Sequence, residues 1–355
     1  MTPENSSRSL ISMVRRVVPD LEHASALLEN PGDVLVARPE RDRRLRSSRA
    51  PGPGAAASRP TPSSLDALHA GRRALQKVLR AGENAQLDDA ELIGLEAVVV
   101  TLGRPAILVQ DDHFFPAPHP WEVLEDHRAA IEGILPSVGR IEVSGHPALD
   151  WIGTGFLVDT DAVLTNKHVV REFVDWRSGG SWTIDPTMRV RIDFAEEIGT
   201  PYTREFPVTS IIGIHSQLDL ALLRVAANGA SGRLPPPLPL ARSSAKLTAG
   251  RQVYVVGYPA ADSRRNDEGD IQRIFSDIFN VKRLQPGELR SVAPNRDEVA
   301  HDCSTLGGNS GSCLVDLESQ EVIGVHYRGR YLEANWAVAT HLVIEQIFAA
   351  TRGRR

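Results

Sequence analysis

The chain has 355 residues, of which 41% are hydrophobic and 24% are charged, and its formal net charge at pH 7 is −5. This composition is ordinary for a globular protein, and the negative charge gives no reason to expect nucleic-acid binding. No apolar run of 18 residues suggests a membrane span, and the length predicts two or three domains.

Residues 7–29 have the apolar spacing of a helix, with Pro19 as a break, so residues 1–37 are predicted to form an N-terminal helical segment. Residues 38–64 are rich in Pro, Gly, Ser and Arg and poor in large apolar residues. That composition predicts a disordered linker. Its arginines could dock an anionic partner, although a solvated tether is the commoner case.

A mainly helical accessory domain is predicted over residues 65–137. Its elements are a helix over 65–83 capped by Ser64, a helix from Asp88, a short strand at 105–110 and a helix from Pro120 to about Ile134. Four side chains between the last two elements suggest a metal site: Asp111, Asp112, His113 and His119. A proline-rich turn accounts for them better, so neither a metal nor a cofactor is predicted.

From Arg140 the pattern changes to short β-strands separated by turns. The first predicted set of strands covers 140–144, 153–158, 162–166, 188–194, 206–214 and 218–225. The second set covers 252–257, 272–283, 298–303, 313–316, 321–328 and 335–339. A proline-rich connection over 227–241 separates the two sets, and helical spacing returns over 341–351.

The segment GGNSGS at 307–312 is typical of a nucleophilic serine. Its glycines allow a tight turn and bring backbone N–H groups close to a substrate carbonyl. Because a serine hydroxyl is a weak nucleophile alone, Ser310 requires a histidine base and an acid elsewhere in the chain.

Two candidates fill these roles. His168 follows a predicted strand in the sequence TNKHVV, and Asp219 lies at the start of another in DLALL. The order is His, Asp, Ser, which differs from the order in subtilisin and in the α/β-hydrolases. Alone, His168 would more often be structural, Asp219 a strand-end residue and GNSG a simple turn.

Together these motifs resemble the bacterial branch of the chymotrypsin-like (trypsin-like) serine peptidases, near glutamyl endopeptidases and HtrA-type proteases, over roughly residues 141–350. The resemblance implies a mainly β fold of two antiparallel six-stranded barrels with a C-terminal helix, and a peptidase domain over 138–355. The first barrel would span about 140–226, the second about 247–340, and the helix 341–351. The backbone N–H groups of Gly308 and Ser310 would form the oxyanion hole.

The resemblance also implies which residues bind substrate. Ser304 stands where a trypsin-type pocket has a carboxylate, so a preference for Arg or Lys is not expected. Thr305 and His326 match positions that face a substrate carboxylate in glutamyl endopeptidases, and both can donate hydrogen bonds to one; the alternative is that they are ordinary barrel residues. Residues 327–329 (Tyr327, Arg328 and Gly329) would offer an edge on which a substrate strand pairs.

Asn309 replaces the aspartate with which pancreatic-type enzymes bind a freed N-terminus, so activation of that kind is not expected. The chain has two cysteines, Cys303 and Cys313, predicted to be buried thiols or, alternatively, a redox-sensitive pair. With a polar N-terminus that does not resemble a secretion signal, they predict a reducing cytoplasm.

The sequence therefore predicts an intracellular serine endopeptidase that cleaves proteins or peptides, with a preference for Glu or Asp before the scissile bond. A regulatory protein could bind through the N-terminal region. A catalytically silent or latent module that uses the protease fold to bind a partner remains the alternative, as does an esterase without peptidase activity.

Overall fold

The computed structural model describes residues 3–31, 64–177, 181–229, 232–260, 279–293, 297–330, 334–342, 344–345 and 347. The helices are α1 Pro3–Val17, α2 Leu21–Leu27, α3 Ser64–Ala81, α4 Asp89–Val98, α5 Val123–Asp126, α6 Arg128–Ile134 and α7 Lys167–Arg171. The predicted linker at 38–64 lies almost wholly outside the described residues.

The strands before residue 230 are β1 Ile107–Gln110, β2 His113–Phe114, β3 Val138–Ser144, β4 Trp151–Asp159, β5 Ala162–Thr165, β6 Val174–Arg177, β7 Ser181–Ile184, β8 Arg189–Asp193, β9 Glu205–Ile214, β10 Ala221–Val225 and β11 Asn228–Gly229. The later strands are β12 Gly232–Arg233, β13 Gln252–Gly257, β14 Arg283–Val292, β15 Glu298–His301, β16 Cys313–Asp316, β17 Val322–Arg330 and β18 Ala334–Ala339.

The helices α1 to α4 belong to one compact unit, whose described residues lie before position 106 or at 118–120. Asp20 caps α2 after the predicted break at Pro19, and Asp88 and Glu91 form a capping box at the start of α4. α3 and α4 cross closely, because a Cβ on Gly71 would lie only 2.4 Å from the carbonyl oxygen of Gly94. The predicted N-terminal helices are therefore confirmed.

The second unit contains both predicted barrels. The first is closed in the order β10–β5–β4–β3–β8–β9. The second follows the order β13–β16–β17–β18–β15–β14, and pairing between β13 and β14 closes the ring. All pairings within these two rings are antiparallel. The fold is thus the chymotrypsin-like one that the sequence predicts.

Alternate residues of the strands pack into different cores, since side chains in a strand point to opposite faces. In β13, Val253 and Val255 pack inside the second barrel, whereas Tyr254 and Val256 join a core that also contains Phe156 of the first barrel. Burial on both faces explains the nearly continuous apolar runs of these strands, and the shared core joins the two barrels.

The structure divides the chain at residue 105 rather than near 137, where the predicted accessory domain ends. The predicted strand at 105–110 is present as β1, but it pairs with β14 of the second barrel, with Ile107 opposite Leu284. α5 and α6 belong to the same unit and divide the predicted helix at Pro120–Ile134 into two short ones. Sequence patterns near residue 107 cannot reveal a partner strand so far along the chain.

One strand of the second barrel lies later than predicted. Residues 272–278 of the predicted strand fall outside the described part, and β14 instead runs from Arg283 to Val292. Pro286 and Gly287 lie in its middle, and both residue types are uncommon inside a strand. Gly287 is needed because a Cβ there would lie 2.7 Å from the backbone nitrogen of Cys303.

The sequence prediction of a C-terminal helix over 341–351 is tested only in part. Residues Thr340–Leu342 form a 3₁₀ turn and residues 344, 345 and 347 are helical, while the rest lies outside the described residues. Within the described residues no helix is both long and apolar enough to cross a membrane.

Candidate active site

The pairing of β5 with β10 brings His168 and Asp219 together. Thr165 at the end of β5 lies opposite Ala221 at the start of β10. His168, in the short helix α7 that follows β5, therefore lies beside Asp219, which precedes β10. Nδ1 of His168 is 2.6 Å from Oδ2 of Asp219, and the backbone N–H of His168 donates to Oδ1 at 3.0 Å.

Asn166 and Lys167, which directly precede His168, hold the same loop in place. The sequence analysis did not identify either residue. Asn166 donates from Nδ2 to the carbonyl oxygen of Asp219 at 2.9 Å. Nζ of Lys167 donates to the carbonyl oxygens of His215 at 2.9 Å and Ser216 at 3.2 Å. Their position in the TNKHVV sequence could have suggested this role.

The electrostatics favour an ionised Asp219. Burial alone would raise the pKa of its carboxyl group, but the hydrogen bond and charge of His168, with the charge of Lys167, outweigh burial and lower that pKa. An ionised carboxylate at Nδ1 fixes the tautomer with the proton on Nδ1 and leaves Nε2 able to accept a proton.

Ser310 lies in a tight turn between β15 and β16. Gly308 and Gly311, on either side, have φ angles of 85° and 89°, which favour glycine. A Cβ on Gly311 would lie 2.0 Å from the carbonyl oxygen of Thr154, and one on Gly308 would lie 2.3 Å from the ring of Trp151. Both glycines are thus required by backbone conformation and by close packing.

β4 joins the serine loop to the helix that contains His168. A Cβ on Gly153 would lie 2.8 Å from Cγ2 of Val169 and 3.0 Å from the carbonyl oxygen of Ser310. The neighbouring N–H of Thr154 donates to that same oxygen at 2.8 Å. The start of β4 therefore packs against both the helix that contains His168 and the loop that contains Ser310.

The peptide groups around Ser310 are oriented by their carbonyl oxygens. The carbonyl oxygen of Gly307 accepts from the N–H of Ala260 at 2.6 Å, and that of Asn309 accepts from the N–H of Ser312 at 2.9 Å. In a planar trans peptide the N–H points away from the preceding carbonyl. The N–H groups of Gly308 and Ser310 are thereby directed away from these partners, as an oxyanion hole requires.

The predicted pocket residue His326 is buried and pairs with a second buried histidine. Nδ1 of His326 is 3.1 Å from Nε2 of His301, which sequence analysis missed because nothing around it marks it. Burial lowers the pKa of His301 to about 3, and burial together with His301 and His168 lowers the pKa of His326 well below its usual value. Both rings are neutral near pH 7.

Thr305 lies close to β17. Its Oγ1 is 3.8 Å from where a Cβ on Gly329 would be, and this buried oxygen has no hydrogen-bond partner among the described residues. Ser304 accepts a short hydrogen bond at its carbonyl oxygen from Nε2 of Gln285.

The predicted substrate edge lies on β17. Its start, 322–325, pairs with β16, whereas 328–330 pair only with β18 among the described strands. Tyr327 is the extra residue of a bulge between these parts, and burial raises the pKa of its hydroxyl to about 12. Arg328 pairs with Glu298 at 3.1 Å and lies over the ring of Trp336. One side of 328–330 is thus open for strand pairing.

Asn309 is fully buried and bonded within its own loop, with its Oδ1 3.4 Å from Oγ of Ser312. Cys303 and Cys313 are buried and are not joined in a disulfide.

The four side chains that suggested a metal site have other contacts, and that of His119 is a ring contact with His23. Asp111 and Asp112 form the β1–β2 turn with positive φ angles. Asp112 pairs with the buried Lys282 at 3.4 Å, while Nδ1 of His113 is 2.8 Å from Glu132. The turn interpretation agrees with these contacts.

Comparison with known proteins finds similarity to serine peptidases. Residues 153–325 match the family model described as a trypsin-like peptidase domain. The chain is 29% identical over 289 residues to a Lysobacter enzymogenes protein called probable serine protease, covering 72% of this chain and 74% of that one. It is 26% identical over 197 residues to a glutamyl endopeptidase of Staphylococcus epidermidis, covering 55% of this chain and 60% of that one.

Among solved structures, the active form of a protease from M. tuberculosis aligns with a TM-score of 0.43 at 22% identity, over 69% of this chain and 89% of that one.

The two closed barrels and the match to a trypsin-like peptidase domain support a hydrolase of the serine endopeptidase class. Residues 153–325 match a trypsin-like peptidase domain, and the chain is similar to serine peptidases of the chymotrypsin-like class.

Proposed function

We propose that Ser310, His168 and Asp219 are the catalytic triad of this endopeptidase. The observation that supports this most is the 2.6 Å contact between Nδ1 of His168 and Asp219, together with the glycine turn that contains Ser310. His168 also has 46% of its side chain exposed, so its ring is accessible to a substrate.

The chemistry follows from these positions. Oγ of Ser310 attacks the scissile carbonyl carbon while Nε2 of His168 removes the hydroxyl proton. The resulting oxyanion accepts hydrogen bonds from the N–H groups of Gly308 and Ser310. His168 then gives the proton to the leaving amine, and a water molecule repeats the sequence on the acyl-enzyme. Asp219 stabilises the imidazolium that forms during acylation and again during hydrolysis of the acyl-enzyme.

A fluorophosphonate probe tests this assignment, because it reacts covalently only with an activated serine. We expect the full chain to be labelled, and labelling to be lost in Ser310→Ala but retained in Ser312→Ala. No labelling of the wild-type chain under any condition would favour a silent, partner-binding module instead.

We further propose that the pocket prefers an acidic residue, Glu before Asp, on the amino side of the cleaved bond. If Nε2 of His301 donates to Nδ1 of His326, the proton of His326 sits on Nε2, where it can donate to a carboxylate. The unpartnered Oγ1 of Thr305 supplies a second donor. Similarity to a glutamyl endopeptidase supports the same preference.

Digestion of a peptide library, followed by mass spectrometry of the cut sites, measures this preference. We expect Glu, and to a lesser degree Asp, to dominate the residue before the cut. A cut map dominated by Arg, Lys or large apolar residues contradicts the proposal while leaving the triad standing.

We also propose that the protein acts in a reducing, cytoplasmic setting and that its N-terminal helical unit binds a regulatory protein. Cys303 and Cys313 are not joined in a disulfide, and burial raises the pKa of Cys313 to about 12, which keeps it a thiol. A pulldown with Ser310→Ala from fractionated cells tests both ideas. Recovery of the protein from the medium alone contradicts the location, and capture that survives loss of the N-terminal unit contradicts its role.

A further inference from the structure

Thr154 lies inside the protein, yet it contacts the nucleophile loop twice. It belongs to β4 of the first barrel and is fully buried. Its backbone N–H donates to the carbonyl oxygen of Ser310 at 2.8 Å, and its Oγ1 donates to the carbonyl oxygen of Gly308, also at 2.8 Å. The two contacts lie on either side of Asn309, and one of them is to the nucleophilic residue itself.

The direction of the hydroxyl proton is determined by a third contact. The backbone N–H of Tyr258 donates to Oγ1 of Thr154 at 3.3 Å. Since that oxygen accepts from Tyr258, its own proton is free to point to Gly308. A chain of hydrogen bonds therefore runs from Tyr258 through Thr154 to Gly308, and each bond in such a chain polarises the next.

Gly308 needs an external partner of this kind. As a glycine with a φ angle of 85° it has no side chain to restrict its backbone. The ring of Trp151 and the carbonyl oxygen of Tyr258 pack against its Cα, but neither donates a hydrogen bond to it. Among the described residues, the Thr154 hydroxyl is the hydrogen-bond donor to the Gly308 carbonyl oxygen.

We propose that Thr154 is a positioning residue of the oxyanion hole. Its hydroxyl fixes the Gly308–Asn309 peptide while its backbone N–H fixes the peptide after Ser310, so that the backbone attached to these two anchors presents the N–H groups of Gly308 and Ser310 to the oxyanion. The inference rests on the proposed triad function. Thr154 is buried and acts through Gly308, so its effect belongs to the transition state rather than to substrate binding.

The test compares Thr154→Val, which keeps the shape but removes the hydroxyl, with Thr154→Ser, which keeps the hydroxyl. Each is made in the full chain and assayed on the best peptide from the library. We expect Thr154→Val to lower kcat about tenfold or more with little change in KM, because a whole oxyanion donor is worth about a hundredfold or more. Thr154→Ser should stay within about threefold of wild type.

A peptide aldehyde of the same sequence gives a second readout, because its hemiacetal oxygen occupies the oxyanion hole. Its affinity should fall in Thr154→Val by the same factor as kcat/KM. Thr154→Ala provides a second hydroxyl-free variant should the valine chain not fold.

Thr340→Val is a matched control. Thr340 is also fully buried, and its Oγ1 also donates to a carbonyl oxygen, that of Val322, at 2.8 Å. Its loss should alter stability similarly but leave kcat unchanged. If Thr154→Val keeps its kcat, changes KM alone, or loses no more than Thr340→Val, the inference is overturned while the triad stands. A wild-type chain that neither cleaves nor reacts with the probe overturns both.

Discussion

Two pairs of side chains around the candidate site use histidine in opposite ways. His168 is 46% exposed and lies against a carboxylate, whereas His301 and His326 are 0% and 3% exposed and lie against each other. The first environment can stabilise a protonated ring, and the second excludes one, since the pKa of both buried rings is lowered. The comparison teaches that surroundings, not residue type, separate a base from a neutral hydrogen-bond donor.

The largest effect should come from removing the charge beside His168. Asp219→Asn keeps the shape of the side chain but allows the wrong histidine tautomer and no longer stabilises the imidazolium. We expect kcat to fall by about 10⁴ with little change in KM, measured on the best library peptide. Asp185→Asn, at an exposed turn of the same barrel, is the control and should keep full activity.

If Asp219→Asn retained activity within tenfold of wild type, His168 would not depend on the carboxylate. The contrast between the two histidine environments would then have no catalytic meaning, and the proposed triad would fail.

The three residues of the proposed triad could be predicted from the sequence because the patterns that mark them are local. Glycines lie on both sides of Ser310. His168 follows strand β5, Asp219 precedes strand β10, and these two strands pair with each other. The barrel strands were predictable for the same reason, apart from β14, where Pro286 and Gly287 resemble a turn.

The contacts within the substrate pocket and behind the oxyanion hole could not be predicted from the sequence. His301 meets His326 only because their strands both pair with β18, and the two residues are 25 positions apart. The role of the Thr154 hydroxyl depends on a contact 154 positions away. Long-range pairings of this kind leave no periodic pattern in a single sequence.

A smaller effect is expected at the pocket, on selectivity rather than on overall rate. His326→Leu removes the donor proposed to meet a substrate carboxylate. A hydrogen bond to a charged group is worth about 1.5–3 kcal/mol, so kcat/KM for a Glu peptide should fall by about 10- to 100-fold. The value for a matched Ala peptide should change little.

His326→Gln supplies the matched variant because it keeps an N–H donor, and it should retain part of the preference for Glu over Ala. An unchanged ratio of kcat/KM between the Glu and Ala peptides in His326→Leu would show that the neutral histidine pair does not select the substrate. Thr305 would then be the residue to replace next.

The smallest effect is on the pH dependence of stability. It tests the buried pair of His301 and His326 without measuring catalysis. The pKa of His301 is about 3 in the folded chain, against about 6.5 when unfolded. Below about pH 6.5 the unfolded chain therefore binds a proton that the folded chain excludes. As the pH is lowered from about 6.5 to about 3, this residue should therefore reduce the free energy of unfolding by about 1.4 kcal/mol for each pH unit.

Urea unfolding of the inactive Ser310→Ala chain at pH 7.5, 6.0 and 5.0 measures this slope without self-digestion. Adding His301→Gln should flatten the dependence by about one proton, whereas His69→Gln, at an exposed position of α3, should leave it unchanged. An equal slope in all three chains would mean that His301 gains a proton in the folded state. A protonated His301 could no longer count as the neutral partner of His326, and the contrast with His168 would then rest on exposure alone.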